Sequence, residues 1–173
     1  MWHTYSSLIQ PVTPGSQDLH ALEAVILFGQ FLNSGSTDGW SILSWYWNSV
    51  GNLNIVTPGI LVATNDSITT TGNSSIINNS AQVSVSSSAG SETLSLLLSY
   101  PIQACAFSVE ANNAPTCVQW PPIGTVSWEN IFISQDTSPI PQLVWSPSES
   151  VGECSLSFSS NQNQCTFTWE SSL

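Results

Sequence analysis

The sequence predicts an all-β protein: an immunoglobulin-like β-sandwich with an extended N-terminal arm or donor strand. Three observations lead there. Apolar residues alternate with polar ones over short runs, as in Leu94, Leu96, Leu98, Tyr100 and Ile102. Those runs are bounded by clusters of Gly, Pro, Asn and Ser, the residues that turns need. With 41% hydrophobic residues and eight tryptophans, the chain can also bury a core beneath such strands.

Residues 1–32 read as the arm. Trp2, Tyr5, Leu8, Ile9 and Val12 are scattered among Ser, Gln, Pro11 and Pro14, a pattern with too little local sequence to pair with itself, so it needs a partner surface. The stretch from Asp18 to Leu32 fits two states. Asp18 could cap a helix with Leu19, Leu22 and Ile26 on one side, or Val25, Ile26, Leu27 and Phe28 could form a strand buried on both faces. The strand is preferred because everything downstream is β-like.

Residues 33–173 read as the sandwich domain. A turn at Asn33 to Gly39 leads into a strand from Trp40 to Trp47, with Trp45 and Trp47 on one face and Tyr46 on the other. Asn54 to Thr64 is broken at Pro58-Gly59, and a polar stretch runs from Asn65 to Ser80. Val83 and Val85 alternate with polar neighbours, Ala89-Gly90-Ser91 turns, and the Leu94 row follows. Cys105 to Val109 and Cys117 to Trp120 come next, ended by Pro121-Pro122. Thr125 to Ser134, Gln142 to Trp145, Cys154 to Phe158 and Cys165 to Trp169 are the last strands, the final two joined as a hairpin. No internal repeat is evident.

Charge removes whole classes of function. The chain has no Lys and no Arg, 11 acidic residues and a formal charge of -11. Nucleic-acid binding draws its affinity from cations that are missing here, so no nucleic-acid partner is expected. Ordinary domains carry about 25% charged residues. This one carries 6%, all carboxylates, which reads as a surface suited to acid outside a cell. Salt bridges can involve only His3, His20 or the N-terminus, so stability must come from hydrogen bonds, aromatic packing and covalent links.

The four cysteines, Cys105, Cys117, Cys154 and Cys165, fit an oxidising compartment. Their spacing favours two local disulfides, Cys105 to Cys117 and Cys154 to Cys165, among three possible connectivities. Zinc would need closer pairs, so no metal is expected. Met1-Trp2-His3-Thr4-Tyr5 shows no basic region followed by an apolar one, so no signal peptide is expected. The apolar run from Ala21 to Leu32 is interrupted by Glu23, Gly29 and Gln30 and falls short of the ~20 residues of a membrane span.

Catalytic signatures are sparse. No Gly-x-Ser-x-Gly or His-Glu-x-x-His sequence occurs, and no enzyme activity or cofactor is expected. Asp18, His20 and Glu23 form the densest group of possible ligands and would share a side only on a helix, where a solvated helix start is the plainer reading. Glu110, Glu129, Glu149 and Glu153 lie among aromatics, yet nothing in the sequence brings two of them together for acid–base work. Asn65, Asn73 and Asn78 begin Asn-x-Ser/Thr motifs within the polar stretch and are the expected N-glycan sites, although Ser and Thr are abundant enough to yield such motifs by chance. Trp40, Trp45, Tyr46 and Trp47 could stack on sugars as in a carbohydrate-binding module, or simply fill the core.

In its low charge, Ser/Thr/Asn richness, cysteines and N-terminal arm, the chain resembles the secreted glycoprotein subunits of archaeal surface threads from hot acidic habitats. The resemblance is one of composition and architecture and rests on no motif. It implies a structural subunit at the cell surface that forms a head-to-tail homopolymer by donor-strand complementation, with covalent N-glycans. The donated residues would be Trp2, Tyr5, Leu8, Ile9 and Val12, or Val25, Ile26, Leu27 and Phe28. A secreted carbohydrate-binding domain and a coat protein of an archaeal virus are the alternatives.

Overall fold

The structure is a computed structural model. It describes residues 2–11, 19–28, 39–48, 55–63, 65–75, 80–97, 104–111, 123–131, 134–135, 138–139, 155–161 and 164–170. These residues are all-β, with no helix among them, and the chain divides into two compact units, Met1–Glu110 and Ala111–Leu173. The boundary expected after residue 32 lies outside the described residues.

The first unit holds two sheets. One contains β1 (Trp2–Pro11), β2 (Leu19–Phe28), β3 (Trp40–Asn48), β4 (Ile55–Val56), β5 (Ile60–Val62) and β9 (Ala104–Ala111), in the order β4-β3-β2-β1-β9 with β5 also on β3. The other contains β6 (Thr69–Ser75), β7 (Ser80–Ser87) and β8 (Gly90–Leu97), in sequence order. The N-terminal segment is therefore part of the chain's own sheet. Each position from Trp2 to Pro11 is paired antiparallel with one from Phe28 back to Leu19, and β2 is paired in turn along β3. The expected lack of a local partner failed because the partner, Leu19–Phe28, lies only one short connection away.

The sequence of β2 explains its central place. Leu22 and Ala24 enter a core shared with Ile42 and Tyr46 of β3 and with Ala81, Val83 and Val85 of β7, so the two sheets pack face to face. Val25 and Leu27 enter a second cluster with Leu43, against which Trp45 and Val56 pack. Apolar residues on both sides of β2 thus join a cluster each, whereas β7 buries one side and alternates. In β7, Ala81, Val83 and Val85 are buried while Gln82 is exposed. Gln82 Nε2 donates to Ser95 Oγ at 2.9 Å, and Ser84 and Thr93 hydroxyls meet at 2.9 Å, linking β7 to β8 through its outer side.

Ser44 fastens the two sheets. It is fully buried, exchanges backbone and side-chain hydrogen bonds with Thr57, and its Oγ donates to the Glu92 carbonyl on β8 at 3.2 Å. Across the turn that precedes β6, Asp66 Oδ2 accepts from the Ala63 amide at 3.0 Å and Oδ1 accepts from Ser88 Oγ at 3.1 Å.

The second unit holds β10 (Ile123–Trp128), β13 (Ser155–Asn161) and β14 (Gln164–Glu170), in the order β10-β14-β13, and the short pair β11 (Ser134–Gln135) and β12 (Ser138–Pro139). β13 and β14 form the hairpin that the sequence suggests, closed at Asn161 and Gln164. Ser127 and Thr166 hydroxyls meet at 2.9 Å between β10 and β14.

Candidate functional site

A charged residue interrupts the apolar sequence of β2. Glu23 is a buried carboxylate, 6% exposed. Burying a carboxylate is costly unless it gains hydrogen-bond donors or a cation, and this chain has no Lys or Arg to offer. Glu23 has an interaction partner within the fold, and its place in the middle of a central strand makes it a candidate position for chemistry or recognition.

Strand geometry fixes what surrounds it. Glu23 is opposite Ser7 on β1 and Trp45 on β3. Two residues along each strand on the same side are the positions of Tyr5, Val25 and Leu43 in one direction and Ile9, Ala21 and Trp47 in the other. None of these eight positions carries an acid. Glu110, on β9, is two strands from β2, about 10 Å in strand spacing. Because β2 is a strand, His20 and Glu23 point to opposite faces, so neither a shared ligand side nor the solvated helix start weighed for Asp18, His20 and Glu23 applies to these two; Asp18 lies outside the described residues. No group of three His, Cys, Asp or Glu side chains able to hold a metal occurs among the described residues.

The other expected positions are spread over the chain. Glu129 is exposed in the second unit, where its Oε1 accepts from Gln164 Nε2 at 3.2 Å; Glu149 and Glu153 lie outside the described residues. Asn65, with φ 73°, and Asn73, on β6, are both exposed; Asn78 lies outside the described residues. Cys105 and Cys165 are thiols, the first exposed and the second buried, while Cys117 and Cys154 fall outside the described residues. Burial pushes the Cys165 thiol up to about 11, with a backbone hydrogen bond at Trp128 acting the other way. Tyr46 is buried in the core, and Trp45 faces the other way, on the side of Glu23. Of the donor-strand positions, Val25 and Leu27 are buried in the chain's own core, Ile26 is packed against it and Phe28 is 42% exposed, in a tilted ring contact with Trp40. Val12 lies outside the described residues, as do the side chains of Trp2, Tyr5, Leu8 and Ile9.

No family model matches the sequence, and no curated protein matches it. Among solved structures, the fold is similar to the crystal structure of aspergilloglutamic peptidase from Aspergillus niger. The TM-score is 0.60 at 13% identity, over 98% of this chain and 99% of that one. This likeness overturns the filament reading. Residues 1–32, expected to be donated to a neighbouring subunit, belong to a stretch matched almost end to end by a peptidase, and within the chain they form β1 and β2. With that, the donor-strand homopolymer loses its support. At this identity the likeness concerns the fold alone. No helix of the described residues is long and apolar enough to cross a membrane.

Glu23 was visible in the sequence as an acid within Leu19–Phe28, but helical spacing drew it into a group with Asp18 and His20. The signal that isolates it is a lone carboxylate inside a run whose neighbours are apolar on both faces.

Proposed function

We propose that this chain is an extracellular polypeptide-binding protein built on a peptidase-like β-sandwich, holding an unfolded peptide through the Glu23 carboxyl and the Trp45 ring without hydrolysing it. The observation that carries this reading is the surroundings of Glu23: one buried carboxylate with no second acid at any of the eight neighbouring positions on its side of the sheet. Amide hydrolysis by carboxyls divides the work between an acid and a base whose environments separate their roles. A single carboxylate can instead accept from peptide N–H groups. Such hydrogen bonds to a charged acceptor contribute about 1.5–3 kcal/mol each. The indole of Trp45 supplies apolar area beside it. Absence of Lys and Arg suits a protein working in acid outside a cell, where carboxylates lose their mutual repulsion.

The test uses acid-unfolded casein at pH 3 to 6, with tryptophan fluorescence reporting binding and mass spectrometry reporting new termini. Expected are saturable quenching, binding at least about tenfold weaker in Glu23→Gln, and intact casein. Cleavage abolished by Glu23→Gln or Glu110→Gln would replace this reading with a carboxyl peptidase, and absence of binding would remove it.

A further inference from the structure

On the face of β2 opposite Glu23, a second polar group sits between the two sheets of the first unit. His20 is opposite Gln10 on β1 and Asn48 on β3. Its Nδ1 is hydrogen-bonded to Tyr46 Oη, and the two rings stack with centroids 5.7 Å apart and planes 23° from parallel. Tyr46 is 8% exposed and belongs to the core that joins β2 and β3 to β7. Asn48 Nδ2 donates to the same Oη at 3.5 Å.

The donor inventory limits the direction of these bonds. A phenol has one proton and two lone pairs, and an amide nitrogen only donates. Asn48 fills one of the two Oη lone pairs; when the neutral ring carries its own proton on Nε2, the Tyr46 proton is donated to His20 Nδ1. An imidazolium donates from both nitrogens and accepts at neither. Charging the ring therefore takes away the acceptor that the Tyr46 hydroxyl uses, inside a core where an unsatisfied hydroxyl is costly.

We infer that the His20–Tyr46 contact is an acid-sensitive latch: protonation of His20 reverses its bond to Tyr46 and loosens the end of the sandwich where β2 and β3 meet the second sheet. Among the described residues, few other charges face it. From β3 come Tyr46 and Asn48, and from β1 Gln10 stands opposite. β6 and β7 carry no titratable residue, and on β8 Glu92 is paired with Val85. Burial lowers the proton affinity of His20 below its ordinary value of 6.5. The unfolded chain thus takes up this proton more readily than the folded one. The stability due to the neutral ring is complete above pH 6.5 and is lost as pH falls through the lowered folded value.

The experiment measures urea unfolding of the full chain from pH 4 to 8, comparing wild type with His20→Asn, whose amide oxygen can accept where Nδ1 does and cannot titrate. The carboxylates are common to both proteins and cancel in the difference. Between pH 7 and pH 5 the folding constant of wild type should fall about threefold or more beyond that of the variant. Parallel profiles overturn the latch. Proton NMR of wild type gives a second reading that needs no variant to fold. The His20 ring should titrate below 6.5, with the Tyr46 ring signals moving at the same midpoint. Titration at or above 6.5, or a Tyr46 ring indifferent to it, also overturns the inference.

Discussion

Glu23 and Trp45 occupy one rung of the β2–β3 ladder, a buried carboxylate directly across from an indole. On the same strands, Val25 is across from Leu43, and both are buried. The two rungs lie on the same face, separated by Ala24 and Ser44, and differ in that one carries a carboxylate where the other is apolar. Replacing Glu23 by Leu extends the apolar cluster but removes a group that has a partner in the fold, so stability should change by less than about 2 kcal/mol while polypeptide binding is lost. Thermal unfolding and casein titration of Glu23→Leu check both halves. A loss of stability above about 2 kcal/mol, of the size seen when a buried polar network is broken, assigns the carboxyl a structural role instead.

Period-two reading located strands well wherever one face is buried, as in β7, and the Trp45/Tyr46 alternation of β3 came out as read. It was weakest at the N-terminus. Trp2–Pro11 and Leu19–Phe28 were both legible as extended chain, yet what they pair with depends on the connection between them and on β3, and residue patterns carry no register. The same gap hid the site. Whether His20 and Glu23 share a side turns on helix against strand, and that choice alone puts one in contact with Tyr46 and the other beside Trp45.

Ser44 joins the sheets through the Glu92 carbonyl, and its own amide donates to Thr57 Oγ1 at 2.9 Å. Ser44→Ala keeps the small volume that this buried position allows and deletes the donor to Glu92. The carbonyl left behind loses its side-chain partner, so a cost of about 1–3 kcal/mol is expected in urea unfolding. Thr57→Val removes the acceptor for the Ser44 amide and should cost a similar amount. Because both bonds run through Ser44, the double variant should lose less than the two single losses added together.

Gly90 begins β8 with φ 150°, and a Cβ built there would lie 2.9 Å from Ile60 Cδ1. Both the backbone conformation and the contact resist a side chain. Gly90→Ala should therefore destabilise by about 1–3 kcal/mol. Pairing it with Ile60→Val, which removes the Cδ1 atom, should recover the steric part and leave the backbone part. Full recovery in the double variant would mean that the contact alone was responsible.

Cys165 is 1% exposed on β14, opposite Trp128 and Ser160, whereas Cys105 on β9 is exposed. The thiolate is the reactive form, and burial raises the Cys165 thiol from 9.0 to about 11. Burial raises the Cys105 thiol too, so the two differ mainly in access: at pH 8 iodoacetamide should modify the exposed Cys105 faster than Cys165, which is spared until the second unit unfolds, as read by mass spectrometry after peptic digestion. The linkage has a definite sign. Since the folded state holds this proton more tightly, the stability due to the neutral thiol is complete below pH 9 and is lost as pH rises through about 11. Cys165→Ala should flatten that alkaline loss and lower stability at pH 7 by about 1–2 kcal/mol, through the sulfur removed from a packed position. Equal labelling of both cysteines in the folded protein would show that β14 opens on the timescale of the reaction, and the alkaline loss would then vanish with it.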